Sequence, residues 1–341
     1  MISVIMPAYN AEKFIEKSAR SVLEQTYPDL ELIIVNDGSK DGTADIAAAI
    51  AEGDGRVRIL NIENSGPAMA RNYGLEHISD RAEYVTFIDS DDLLEKDALE
   101  YALTATEKGA EFVMMGFTIK NPDATERDYF EPEQYLDSSA LGDALPHLYM
   151  ANMLNQVWAK LYSAKLIREN DLRFPDYRWG EDRLFNFDVL EKAKLCSVLP
   201  KCRYDYIMQP GESLITRFYD KKPQVCCEAD DRMGALCRKF GTKDDSGCRY
   251  MFVKSIFSCM TNLYAPSCTL SYAEKREYVR KILTNEQVQS RSHGVFGGPV
   301  EKLMCAVMRS RIVWLNMLMF RVVYAAGRLT PQLFLKLKHK K

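Results

Sequence analysis

Four short apolar runs near the start of the chain each break off into a polar turn, and this limits the folds open to it. Ile2 to Met6 ends at Pro7-Ala8-Tyr9-Asn10, and Leu30 to Asn36 ends at Asp37-Gly38-Ser39-Lys40-Asp41-Gly42-Thr43. Val57 to Ile62 ends at Asn64-Ser65-Gly66-Pro67, and Tyr84 to Ile88 ends at Asp89-Ser90-Asp91-Asp92. Runs of this length with β-branched and aromatic residues read as buried strands. Between them lie segments with helical spacing: Glu12 to Leu23, Ala44 to Ala51 and Ala68 to Ile78. Strands alternating with helices imply an α/β layer with a mostly parallel sheet and right-handed crossovers. In such a sheet the polar strand ends gather on one edge, where open α/β sheets bind ligands.

The Tyr84 run carries the most specific chemistry. Asp89 and Asp91 are two apart, so in extended backbone their carboxylates leave the same face. Two hard oxygen ligands with room for phosphate oxygens suit magnesium or manganese. The competing reading is a helix cap, because Leu93 to Leu99 looks like the start of a helix. Neither GxxxxGK[ST] nor a GxGxxG after the first strand occurs, so the P-loop and dinucleotide fingerprints are both absent.

Further along, Glu111 to Phe117 reads as another strand and Asn121 to Leu141 as irregular, polar loops of the kind that contact ligands. Ala164 to Glu169 reads as a helix. Glu181 and Asp182 open another, where acids favour the helix dipole; either could also serve as a general base. Trp158, Lys160 and Trp179 are candidates to meet a second substrate, and each reads equally as a packed aromatic or a surface cation. Beyond Asp220 the pattern is helical: Lys222 to Phe240, Cys248 to Tyr264, Tyr272 to Leu283, and a basic segment from Val300 with an apolar stripe at Met304, Met308, Ile312, Leu315, Met319 and Val322. Arg311 falls near that stripe and interrupts its neatness, and Asn316 and Arg321 interrupt the apolar run, which argues against a membrane span. The remaining readings are a basic amphipathic helix on an anionic membrane and a helix packed on the protein.

A net charge of −3 argues against a nucleic-acid binder. The nine cysteines show no CxxC spacing and read as reduced thiols rather than disulfides or zinc ligands. The start of the chain has no basic run or cleavage site, so no leader is expected and a cytoplasmic location is. The expected division is 1–219 for the α/β domain and 220–341 for the helical region.

Five segments together resemble family 2 glycosyltransferases of the GT-A fold, of the bacterial polysaccharide and teichoic-acid type. They are Pro7-Ala8-Tyr9-Asn10, Val35-Asn36-Asp37-Gly38-Ser39, Gly66-Pro67-Ala68-Met69-Ala70-Arg71-Asn72, Asp89-Ser90-Asp91-Asp92 and Gly180-Glu181-Asp182. The resemblance covers about the first 220 residues. It implies an inverting transfer of sugar from a nucleotide sugar, UDP-linked, to a carbohydrate or lipid-linked saccharide acceptor. By this resemblance Pro7 and Tyr9 line the nucleoside pocket, Asp37 holds the uracil edge, and Asn64 and Arg71 complete the pocket. Asp89 and Ser90 face ribose and phosphate, Asp91 carries most of the manganese or magnesium contact with Asp89, and Asp182, beside Glu181, is the general base. A lipid-linked acceptor would make peripheral contact with the inner face of the membrane through the tail sensible.

The chain departs from the family pattern at Tyr204-Asp205-Tyr206-Ile207, where Ile207 stands in place of a common arginine. Ser213, Thr216 and Arg217 are the substitutes for the diphosphate contact. The Gln-x-x-Arg-Trp segment of processive synthases is also missing, so a single addition is expected. Two other readings remain: a phosphatase of the haloacid-dehalogenase type with an aspartate nucleophile, and a non-catalytic membrane-associated assembly subunit.

Overall fold

The computed structural model describes residues 1–209, 216–294 and 297–329. The chain divides into two compact units, Met1–Pro210 with Lys239–Gly241, and Gly211–Arg238 with Thr242–Lys341.

The first unit is built on one sheet. Its strands are β1 (Ile2–Ala8), β2 (Leu30–Asp37), β3 (Val57–Ile62), β4 (Tyr84–Phe87), β5 (Leu93–Leu94), β6 (Phe112–Lys120), β7 (Glu126–Tyr129), β8 (Gln134–Leu136), β9 (Lys160–Ser163) and β10 (Cys196–Ile207). The helices between them are α1 (Ile15–Leu23), α2 (Thr43–Gly53), α3 (Pro67–Glu76), α4 (Ala98–Thr106), α5 (Ser138–Met150), α6 (Ala164–Glu169) and α7 (Glu181–Lys192). The strand order is β3-β2-β1-β4-β9-β6-β10-β5, with β7 beside β6 and β8 beside β10. β1 pairs in parallel with both β2 and β4, and β6 pairs in parallel with β10. β9 is antiparallel to both its neighbours. The sheet is therefore mostly parallel, as expected.

The order turns at β1: the chain moves outward through β2 and β3, then returns to place β4 on the other side. The carboxyl ends of β1 and β4 thus frame a crevice at a topological switch point. β1, β2 and β6 are almost wholly buried, as expected of strands covered on both faces. The core near the crevice is aromatic. Phe87 meets Tyr162, Phe174 and Phe185 edge-on, and Phe174 stacks on Phe185 with centroids 4.1 Å apart.

Two local expectations fail. Leu93 and Leu94 do not start a helix; they pair with Asp205 and Tyr204 of β10, and α4 begins only at Ala98. Short-range helical spacing gives way here to a long-range strand partner. Asn121 to Leu141 is not irregular. It folds back on β6 as β7, adds β8 to β10, and enters α5, whose cap Asp137 accepts from the Ser139 and Ala140 amides.

The second unit is helical: α8 (Lys222–Lys239), α9 (Ser246–Asn262), α10 (Tyr272–Thr284), α11 (Glu286–Arg291), α12 (Pro299–Arg309) and α13 (Val313–Leu329). The expected single basic helix from Val300 is two helices, broken at Arg311, whose φ is +57°. That break explains why Arg311 interrupts the apolar stripe. Met304, Met308 and Phe320 are buried. Lys336, Lys338, Lys340 and Lys341 of the tail lie outside the described residues. All nine cysteines are free thiols.

Candidate active site

The loops that close β1 and β2 are stitched together. The Asn10 amide donates to Ser39 Oγ at 3.1 Å, and the Lys40 amide donates to Asn10 Oδ1 at 2.9 Å. Asp37, the last residue of β2, is buried, and its carboxylate accepts from the Ser65 and Gly66 amides at 2.7 and 2.9 Å. The amide entering α3 thus fixes this carboxylate, and each oxygen keeps a further lone pair for a ligand N–H. Asn64 Nδ2 donates to the Asp37 carbonyl. Gly38 makes this approach possible: its φ is +68°, and a Cβ there would stand 2.8 Å from the Asn64 nitrogen. Tyr9, just past the carboxyl end of β1, is 49% exposed, and Pro7 is half-buried.

Arg71, on α3, is buried and ties the two acidic segments together. Its Nη2 donates to Asp89 Oδ1 at 2.9 Å, and its Nη1 donates to Asp182 Oδ1 at 2.9 Å and Glu181 Oε1 at 3.2 Å. The guanidinium carbon lies 5.7 Å from the Phe174 ring centroid. Burial alone would favour the neutral form of Arg71, but the charges of Asp182, Asp89 and Glu181 outweigh it and hold the group protonated. Its hydrogen bonds place Arg71 in this acid cluster, whereas the resemblance assigned it to the nucleoside pocket.

The capping reading fails at Asp89 to Asp92, whereas Glu181 and Asp182 do lie in the first turn of α7, as expected. Gly180, with φ +82°, precedes α7, and no side chain caps that helix. Asp182 instead turns its carboxylate to Arg71 and to the Val157 amide. Burial raises the pKa of Asp182, opposed by Arg71 and Lys160, and burial with the neighbouring Asp182 charge raises that of Glu181. Asp97, not Asp89 or Asp91, stands before α4.

Asp92 is fully buried and structural. Tyr204 Oη donates to its Oδ2 at 2.7 Å, and the Ile207 amide donates to its Oδ1 at 2.8 Å. The Asp89 amide in turn donates to Tyr204 Oη at 3.2 Å. β10 therefore sets the shape of the acidic turn, a role that sequence reading missed. The tyrosines at 204 and 206, alternating with strand period, were the available signal.

Asp91 is different. Among the described residues it has no cation partner, and burial together with the Asp89 charge pushes its carboxyl up to about 6. An under-neutralised carboxylate beside a second acid suits a divalent cation. No group of three His, Cys, Asp or Glu side chains among the described residues is placed to hold one alone. Asp91, with Asp89, would be the protein's share of a shell completed by phosphate oxygens and water. Ser90 sits half-buried between them.

Trp158 follows its alternative reading as a packed aromatic, whereas Lys160 does not follow its reading as a surface cation. Trp158 is an interior ring, stacked on Tyr204 and Tyr206 at 4.6 and 5.5 Å, with Phe117 edge-on. Lys160 is 1% exposed rather than a surface cation; burial lowers it to about 7, against the charge of Asp182. Its Nζ donates to the Trp158 carbonyl at 3.3 Å. Trp179 is half-buried, with the Arg183 guanidinium 4.4 Å from its ring centroid. Ser213 lies outside the described residues, and Thr216 and Arg217 belong to the second unit.

Comparison with known proteins agrees with this geometry. The chain is 31% identical over 216 residues to EpsJ of Bacillus subtilis strain 168, an uncharacterized glycosyltransferase, covering 62% of each chain. It is 41% identical over 149 residues to TuaG of the same strain, named for teichuronic acid biosynthesis, covering 42% of this chain and 58% of TuaG. The chain thus spans less than two thirds of the length of these relatives. Among solved structures, TarS 1–349 of S. aureus in complex with UDP-GlcNAc matches with a TM-score of 0.68 at 19% identity, over 96% of this chain and 91% of that one. A mannosyltransferase of Pyrobaculum calidifontis, in complex with GDP-Man and Mn2+, matches with a TM-score of 0.52 at 16% identity, over 97% and 87%. The likeness extends through the helical region, and the fold is the expected GT-A fold. A family model described as glycosyl transferase family 2 matches residues 3–188, the span that holds Asp37, Arg71, Asp89, Asp91 and Asp182, and to that family this chain belongs.

Proposed function

We propose that the chain transfers a sugar, with inversion, from a UDP-linked donor to a hydroxyl of a carbohydrate or lipid-linked saccharide in cell-surface polysaccharide synthesis. The observation that carries this reading is the Arg71 fork, which holds donor-side Asp89 and base candidate Asp182 on one guanidinium. The donor class rests on the buried Asp37 acceptor and on the likeness to TarS, a structure with UDP-GlcNAc. Asp37 accepts from the uracil imide, Tyr9 covers the ring, and Asp89 and Ser90 face ribose and phosphate. A divalent cation, when bound, neutralises the leaving diphosphate. Asp91, with Asp89, would hold it.

The acceptor oxygen attacks the anomeric carbon while Asp182 takes its proton, and UDP departs from the opposite face. Arg71 keeps Asp182 oriented and ready to accept. Glu181 and Lys160 set the charge behind it. The family match over residues 3–188 favours transfer over the phosphatase reading.

Residues 1–219 would carry the transfer and 220–341 the contact with an anionic membrane surface. No helix among the described residues is long and apolar enough to cross a membrane. On α13, Trp314, Leu318 and Val322 are exposed at four-residue spacing, with Arg311 and Arg321 exposed nearby. Apolar residues and cations on one surface suit a peripheral helix on the inner leaflet.

The test is UDP release from a panel of UDP-sugars, with carbohydrate acceptors, in manganese and in chelator. Manganese-dependent release with an inverted linkage by NMR is expected. No release from any UDP-sugar, with release from GDP-mannose, would overturn the donor assignment; no release from either would overturn the transfer itself.

A further inference from the structure

Four cysteines of the helical unit form two matched pairs. Cys226 and Cys259 place their sulfurs 3.8 Å apart, and so do Cys237 and Cys248. Cys226 and Cys237 both lie on α8, and Cys248 and Cys259 both lie on α9. The pairing runs forward on one helix and backward on the other, so the helices are antiparallel at this seam. Lys222 Nζ also links the two helices, donating to Ser258 Oγ at 2.9 Å. On each helix the two cysteines are separated by about three turns, which returns both to one face. The result is a ladder of two facing thiol pairs, with no metal-binding cluster among the described residues.

We infer that Cys237–Cys248 and Cys226–Cys259 are two oxidative modification sites, at which a small-molecule disulfide cross-links α8 to α9 within one chain. A disulfide needs sulfurs about 2.05 Å apart, so each pair must close by roughly 1.8 Å, within reach of side-chain rotation. In the first step the Cys237 thiolate attacks one sulfur of the oxidant, forming a mixed disulfide and releasing one thiolate. The Cys248 sulfur then loses its proton to solvent and attacks the Cys237 sulfur. The protein disulfide forms and the second thiolate leaves. The protein pair gives up two electrons and two protons, and the oxidant is reduced to two thiols. Cys226 and Cys259 react by the same steps.

The two pairs differ in readiness. Cys237 is the most exposed of the four, at 7%, whereas Cys226 and Cys259 are at 2% and 0%. Hydrogen bonds from Cys248 and Thr242 also lower the Cys237 thiol, which raises its thiolate fraction. Cys237–Cys248 therefore closes first, and Cys226–Cys259 follows only when the helices open. In a reducing compartment both pairs stay as thiols, and cross-linking marks oxidative stress.

The test incubates the full chain with glutathione disulfide, blocks remaining thiols and maps the peptides by mass spectrometry. Loss of two thiols to a 237–248 cross-link is expected first, and loss of two more to 226–259 on longer exposure or in mild denaturant. In Cys248→Ala the first step should stop, leaving a glutathione adduct on Cys237. Adducts confined to Cys202, Cys227 or Cys268, cross-links in other pairings, or links only between chains would each overturn the inference. The wild-type map stands by itself if the variant fails to fold.

Discussion

Arg71 Nη1 donates to Asp182 Oδ1 at 2.9 Å across 111 residues of sequence. The arginine comes from the helix after β3 and the aspartate from the first turn of α7. One guanidinium thereby fixes the distance between the acidic turn after β4 and the candidate base. Because both partners are desolvated, the pair is costly to break from one side only.

Replacing the arginine tests that directly. Arg71→Met leaves Asp89, Glu181 and Asp182 without their cation and should destabilise the protein by about 3–5 kcal/mol. Arg71→Lys keeps the charge but cannot form the fork, and should lie between the two. Thermal unfolding compares them; a methionine variant that melts with the wild type would show that the cluster is already neutral.

Asp91 should trade stability for activity. Its folded pKa, about 6, lies above the ordinary 3.8, so the folded state retains a proton that the unfolded state has lost. Stability from this site is therefore highest at low pH and declines as pH rises from about 4 to about 6. In chelator, Asp91→Asn should melt higher than the wild type at pH 7 but not at pH 4, and in manganese it should lose nearly all transfer. A melting difference that ignores pH would remove the charge argument, and wild-type transfer in manganese would remove Asp91 from the metal site.

Asp182→Asn separates base from cap. The variant keeps shape and still accepts from Arg71 through its carbonyl oxygen, so UDP binding should persist. The transfer rate should fall by roughly 10²–10⁴, the usual contribution of a positioned base. The wild-type pH–rate profile should show an acidic limb, displaced upward because burial raises Asp182. Transfer at the wild-type rate by the variant would return Asp182 to a structural role.

Asp37→Ala should weaken UDP binding by about 1.5–3 kcal/mol, the range for a hydrogen bond to a charged group. It also orphans the Ser65 and Gly66 amides, so some loss of stability should accompany it. Calorimetry with UDP decides the matter: unchanged affinity in a folded variant takes Asp37 out of the pocket.

The membrane face calls for surface substitutions rather than truncation, since Met304, Met308 and Phe320 of α12 and α13 are buried. Trp314→Ala with Leu318→Ser should reduce cosedimentation with phosphatidylglycerol vesicles at least tenfold and leave UDP affinity unchanged. Equal binding by both forms would favour a helix that serves only to pack.

Much of this protein is legible along the chain because the relevant physics is local. Hydrophobic period separates β1 to β4 from α1 to α3, turn residues mark their ends, and the parallel sheet follows from their alternation. The same local reading singles out Asp37, Asp89, Asp91 and Asp182 as acids at element ends. What only the tertiary structure decides depends on neighbours remote in sequence. Leu93 and Leu94 become a strand because β10 lies beside them, and Asp92 becomes structural because Tyr204 and Ile207 reach it. Lys160 looks like a surface residue by type, yet burial beside Asp182 desolvates it. Arg71 is assigned by its motif to a nucleoside, but its three hydrogen bonds run to carboxylates. Hydrogen-bond partners and desolvation are properties of three-dimensional neighbourhood, and no periodicity along a chain encodes which carboxylate, over a hundred residues away, a guanidinium will meet.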